Sequence, residues 1–317
     1  MDHGPSITAR TVRRRAAART DRRPTARPPE PSGTRCDDRP MTSGPAPARP
    51  RGSLRDWLSP APPSFPGVAT DPRERRLIGL EIAVVLTVTL GLSAVRSALS
   101  LLEALLNPAP LADQQVTLNA PASTDAWIDL AFQLVRALQL AGWGALAAYL
   151  LLRAGIALGR VGLDGRRPWR DAAHSAGLAA LIGIPGLGLY LVGRLAGITP
   201  DVAPSTLTDQ WWRIPVLVLS ATANSWAEEV VMIGYLLTRL RRLGWSENRS
   251  AFAAAVLRGC YHLYQGIGAF VGNLVMGLVF ARYWQRTNRL WPLVGAHLLI
   301  DVVAFVGYAL LGGVLPF

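Results

Sequence analysis

The sequence predicts an all-α fold: a polytopic membrane bundle of about seven transmembrane helices behind a disordered N-terminal tail. Half of the 317 residues are hydrophobic and only 17% are charged, where a soluble domain is about a quarter charged. The apolar residues gather into runs of membrane-crossing length. The loops between those runs alternate in charge.

Residues 1–75 are rich in Arg, Pro, Ala, Ser and Thr. Such a segment buries too little apolar surface to offset its chain entropy, so a disordered cytoplasmic tail is expected. It has no apolar core of a secretory signal, and Met41 offers a second candidate start. Every basic residue is Arg, and residues 1–76 hold 16 of the 33 against 8 acidic residues. The net charge of +12 therefore belongs to the tail and loops. Without interleaved aromatics it excludes a nucleic-acid-binding face, and the tail suits contact with anionic lipid. Cys36 and Cys260 form no CxxC pair and no disulfide framework. Cys260 reads as a space-filler in its helix.

From residue 77 onward there are seven apolar segments: Leu77–Leu106, Trp127–Leu152, Asp171–Leu195, Trp211–Leu240, Ser250–Gly268, Phe270–Trp284 and Pro292–Leu315. A helix needs about 20 residues to cross the hydrocarbon core; the sixth is short, with Gly266 and Gly268 marking the turn before it. The N-terminal helices occupy 76–165 and the expected catalytic half is 166–317. Arg73, Arg75 and Arg76 precede the first segment, and Asp113 and Asp125 follow it. Five Arg fill 153–170, Asp201 and Asp209 the next loop, Arg239, Arg241, Arg242 and Arg249 the next, and Arg282, Arg286 and Arg289 the last. This positive-inside pattern predicts a plasma-membrane protein with a cytoplasmic N-terminus and an external C-terminus. Ser246 and Asn248 are cap candidates, and Pro292 fits a first helical turn. Trp127, Trp211, Trp212, Trp284 and Trp291 lie near span ends and read as an interfacial belt.

Ionisable groups inside a bilayer are costly and mark function. The last four segments hold six away from their ends: Glu228, Glu229, Arg258, His262, His297 and Asp301. Arg258 and His262 are i, i+4 on one face, as are His297 and Asp301. Glu228 and Glu229 point about 100° apart on an α-helix, so only one faces a site squarely and the other needs a second partner. Measured from the nearest Arg cluster at about 1.5 Å per residue, Glu228, His262 and Asp301 lie about 16, 19 and 18 Å deep, and His297 about 12 Å. Three helices of alternating direction thus bring polar groups to one layer. Such a layer suits hydrolysis: a buried carboxylate can act as base toward water, and imidazoles with a carboxylate can hold Zn²⁺ or, without metal, stabilise an oxyanion. Asn224 lies one turn before Glu228 and either lines the site or packs beside it. His174 reads as interfacial, His3 has no evident role, and Glu81, Arg96 and Glu103 read as solvated, snorkelling or packing groups.

Three stretches in this half resemble a known family. Asn224-Ser-Trp-Ala-Glu228-Glu229-Val-Val-Met-Ile-Gly234-Tyr235-Leu is similar to the paired-glutamate motif of the CPBP intramembrane metalloproteases, the group that includes CAAX prenyl endopeptidases. Arg258-Gly-Cys-Tyr-His262-Leu-Tyr-Gln-Gly266 resembles the second motif, and Pro292-Leu-Val-Gly-Ala-His297-Leu-Leu-Ile-Asp301 the third. The resemblance spans roughly 170–310. It implies an intramembrane endopeptidase acting on a membrane protein or peptide. Glu228 would activate water, His262 and His297 would be catalytic, and Zn²⁺ would be held by His262, His297, Asp301 and Glu228. There are two departures. The family's Arg four residues after the second glutamate is Ile233, and the Phe four residues before the second-motif histidine is Arg258. The two are read as linked, with Arg258 supplying the cation to Glu229. The rival readings are a polar network in a non-catalytic scaffold or immunity factor, and a proton-coupled transporter, against which no internal repeat stands. The sequence sets no oligomeric state.

Overall fold

A computed structural model describes residues 65–207 and 209–311; the expected tail up to residue 64 lies outside them. Asp71 caps the first helix by accepting hydrogen bonds from the Arg73 and Glu74 amides, with Pro72 in the first turn, where its missing N–H costs nothing. Residues 67–69 of the expected tail are tied down: the Ala69 amide donates to the Arg242 carbonyl at 2.8 Å, and Arg242 donates to Gly67 O at 2.6 Å.

The helices are α1 (Pro72–Val88), α2 (Leu90–Leu106), α3 (Ala126–Arg153), α4 (Pro168–Leu195), α5 (Arg213–Arg242), α6 (Glu247–Cys260), α7 (Ile267–Thr287) and α8 (Trp291–Leu311). Strands β1 (Gln115–Thr117) and β2 (Asp201–Ala203) pair in parallel, Gln115 opposite Asp201. They tie the α2–α3 connection to the α4–α5 connection.

The expected all-α membrane bundle is present, with five or six long apolar candidate spans among the described residues. Among the described residues five helices, α3, α4, α5, α7 and α8, are long and apolar enough to cross a membrane, and α1 with α2 makes a sixth as a pair bent by 50°. At the bend Gly91 lies close under the Leu86 carbonyl; a Cβ there would sit 2.5 Å from that oxygen. The segment expected over 250–268 is a helix of only 14 residues, Glu247–Cys260, short of the length a span requires. Its chain then makes a 3₁₀ turn over Leu263–Gln265 and passes Gly266, whose φ of 96° favours glycine.

Helix α5 is the central element. Over Glu229–Leu237 it is wound as a π-helix, and every residue of that stretch is buried. A π-turn carries one residue more than an α-turn and is frequent at functional sites. Helix α3 closes on α5 because Gly144 leaves room for the Trp226 indole, which a Cβ would overlap. Trp226 Nε1 donates to Ala141 O at 3.2 Å.

The Arg-bearing helix ends gather at one end of the bundle. Arg242 pairs with Glu74 at 2.7 Å, and Arg241 with Glu247 at 2.5 Å with both side chains buried. Arg289 binds Asp164 at 2.7 Å and also Asp171. Two readings of single residues change here. Trp212 and Trp284 are 2% and 1% exposed, so they belong to the core rather than an interfacial belt. Glu81 is not a solvated group: it accepts from Tyr235 Oη at 2.9 Å and Arg239 at 2.7 Å, joining α1 to α5.

Candidate active site

The polar layer is built from α5, α6 and α8. Glu228 and Glu229 stand where α5 passes from α-helix to π-helix. Arg258 comes from α6, and Tyr261 and His262 from the residues just past its end. His297 and Asp301 come from one face of α8. Glu228, Glu229, Arg258 and His297 are all at most 5% exposed, while His262 and Asp301 are half-buried.

Both glutamates reach the same guanidinium, although an α-helix would turn them apart. Arg258 Nη2 donates to Glu229 Oε1 and to Glu228 Oε2 at 3.3 Å. Each carboxylate then has a partner of its own. Tyr261 Oη donates to Glu228 Oε2 at 2.7 Å, and His297 Nδ1 to Glu229 Oε1 at 2.8 Å. A carboxylate accepts only, so Nδ1 carries the proton and Nε2 of His297 turns toward Asp301, 3.6 Å away. Asp301 accepts from Asn224 Nδ2 at 3.0 Å. Asn224 therefore belongs to the network.

The two glutamates differ in their second oxygen. Glu229 Oε2 is buried without a partner among the described residues. Glu228 Oε1 takes no hydrogen bond among the described residues either, and its side chain is 6% exposed against none for Glu229. His262 is the group with a free nitrogen. Its Nδ1 donates to the Arg258 carbonyl at 3.0 Å, so in the neutral ring Nε2 presents a lone pair. Its ring leans on Tyr261, 4.7 Å between centroids.

The structure thus joins Glu228, Glu229, Arg258, His297, Asp301 and Asn224 in one hydrogen-bonded and ion-paired chain, and links His262 to it through the Arg258 backbone. Tyr261 is the partner the spacing did not single out. His174 stands apart, bonded to Tyr283 Oη at 2.6 Å. The zinc set does not fit this geometry. Among the described residues no three His, Cys, Asp or Glu side chains are placed to hold a metal ion. A buried guanidinium sits against both glutamates, where a second cation would be repelled.

Residues 210–303 match the family model described as Type II CAAX prenyl endopeptidase Rce1-like. The matched stretch includes all six ionisable residues of the layer. No curated protein and no solved structure matches the chain. Over residues 210–303, then, this membrane protein is similar to the Rce1-like type II CAAX prenyl endopeptidases.

Proposed function

We propose that this protein is an intramembrane endopeptidase that hydrolyses peptide bonds of membrane proteins or peptides with a water activated by Glu228. The observation that carries the reading is the contrast within the glutamate pair: Glu229 is locked between Arg258 and His297, while Glu228 keeps one oxygen without a hydrogen bond among the described residues. Water donates one hydrogen to Glu228 Oε1 and the other to His262 Nε2. As Glu228 takes the proton, the water oxygen bonds the scissile carbonyl carbon and the carbonyl π pair moves onto oxygen. The second N–H of Asn224, whose first is spent on Asp301, donates to that oxyanion. Collapse breaks the C–N bond, and the amine leaves with the proton returned by Glu228.

Arg258 is a positioning residue in this reading, filling the role of the cation that Ile233 lacks. In this reading the Arg-bearing end and the N-terminus lie in the cytoplasm and the host membrane is the plasma membrane; the alternating loop charges support the orientation. A second reading, a membrane scaffold without cleavage, draws on Ile233 alone. Cleavage of a membrane-anchored peptide by the purified chain, with and without a zinc chelator, separates the readings. The proposal expects turnover that the chelator leaves unchanged. No turnover toward any peptide favours the scaffold, and turnover abolished by the chelator and restored by zinc contradicts the metal-free route.

A further inference from the structure

Away from the polar layer, at the Arg-bearing end of the bundle, lies a cavity of about 350 Å³. It is walled by the start of α1, the residues just past α3, the end of α5, and residues 65–67 of the segment before α1. Polar ties hold the walls. Arg242 donates to the Gly67 carbonyl at 2.6 Å and makes two hydrogen bonds to Glu74. The Arg160 guanidinium lies 4.3 Å over the Phe65 ring. None of these residues takes part in the chemistry proposed above.

Four charged side chains line the cavity, and they balance. Glu74 pairs with Arg242 at 2.7 Å and Glu81 with Arg239 at 2.7 Å. Neither pair is closed. Both bonds from Arg242 end on Glu74 Oε1, so Oε2 takes none among the described residues, and this side chain is 40% exposed. Arg239 is 7% exposed, yet its Nε is buried without a partner among the described residues. A buried donor left unmatched is costly, so one in a cavity wall points to a missing acceptor.

The order of these groups along α1 is the order of groups in a phospholipid. Glu74 is at the rim, in the first turn. Glu81, with its partner Arg239, is seven residues further on, about 10 Å inward. That reach is comparable with the headgroup zone, about 5–7 Å deep on each side of the hydrocarbon core. From the cavity wall, Leu77 begins an apolar face that continues through Leu80, Val84 and Val88 at helical spacing, each more than half exposed. An outer acceptor, an inner cation and an apolar track suit an amphiphile with an outer ammonium, an inner phosphate and acyl chains. A lone anion would meet two carboxylates there, and a lone cation two guanidiniums. A choline group has no N–H to give Glu74, and its usual recognition is an aromatic cage. Phe65 is the one aromatic ring lining this cavity, and Arg160 covers a face of it.

We propose that the cavity binds the headgroup of phosphatidylethanolamine, with the primary ammonium on Glu74 Oε2, the phosphate on Arg239, and the acyl chains along the Leu77–Val88 face of α1. The site does not rest on the endopeptidase reading, and its test needs no cleavage.

The full chain in detergent is titrated with phosphatidylethanolamine, phosphatidylcholine and phosphatidylglycerol carrying the same acyl chains, and retained lipid is counted by native mass spectrometry. Free phosphoethanolamine is added as a competitor. The variants are Glu74→Gln and Ala154→Trp; the second fills the cavity from an exposed wall position and removes no charge. The expected result is one phosphatidylethanolamine per chain, held about 10-fold more tightly than either other lipid and displaced by free phosphoethanolamine. Glu74→Gln should retain lipid without the preference. Ala154→Trp should lose the bound lipid while melting at the wild-type temperature. Equal retention of the three lipids, a preference for phosphatidylcholine or phosphatidylglycerol, or a preference that survives Ala154→Trp overturns the site. Binding of free phosphoethanolamine without any lipid preference makes the ligand a soluble zwitterion and overturns the lipid assignment. If Glu74→Gln does not fold, Ala154→Trp decides.

Discussion

Glu228 and Glu229 are adjacent and chemically identical, and their neighbours divide them. Glu229 is an anion held by Arg258 and His297 with no exposed surface. Removing one partner of such a pair leaves a buried charge uncompensated, at about 3–5 kcal/mol. Arg258→Ala should therefore lower the unfolding free energy in detergent by that order. Ile233→Arg in the same background should recover part of it, since position 233 lies one turn beyond Glu229 and is buried against the same core. Absence of any recovery in a denaturation series would sever the link between the two departures from the family pattern. At this scale the sequence was informative: the six charges at a common depth were readable from spacing alone. Tyr261 was not, because a tyrosine is unremarkable in an apolar run and only the stop of α6 turns its hydroxyl to Glu228.

The elements hold these residues through a few polar ties. The Tyr264 amide depends on Ser97 Oγ of α2, and the turn it belongs to follows His262 directly. Ser97→Ala should leave a donor unmatched, costing about 1–3 kcal/mol, and should lower kcat more than it raises KM; an unchanged kcat would show that α2 does not position His262. At the Arg-bearing end, Arg289 clamps the α7–α8 connection to Asp164 and Asp171. The hydrogen bond from Arg289 is the largest effect on the Asp164 carboxyl and holds its pKa below the ordinary value. The stabilisation is present above the unfolded aspartate value of about 3.9 and is lost as pH falls through the lower folded value. The stability difference between wild type and Arg289→Gln should thus be constant near neutrality and shrink toward acid. A difference that widens below pH 4 would contradict the clamp. The break in the first span was illegible in apolar run length, because its signal, Gly91, is one residue under the Leu86 carbonyl; the turn at Gly266 was legible, but the stop of α6 at Cys260 was not.

For the whole molecule, the alternating loops and the gathering of Arg-bearing ends make one topological claim. In a chain with both native cysteines replaced, Gly165→Cys should react with a membrane-impermeant thiol reagent only from the cytoplasmic side, and Thr124→Cys only from outside. Both positions are exposed, and labelling from one common side would overturn the α3 crossing. The membrane class and the site layer were legible because bilayer depth is written in composition and residue spacing. The bend in the first span and the early stop of α6 were not, because a bent pair and a short helix look continuous in hydropathy. The most direct test of the account is to measure kcat and thermal stability together for Glu228→Gln and Glu229→Gln. The account predicts that Glu228→Gln keeps its melting temperature within a few degrees and loses about 10²–10⁴ in kcat, while Glu229→Gln is the variant that melts early. Full activity in Glu228→Gln, or the same loss of stability in both, would contradict it.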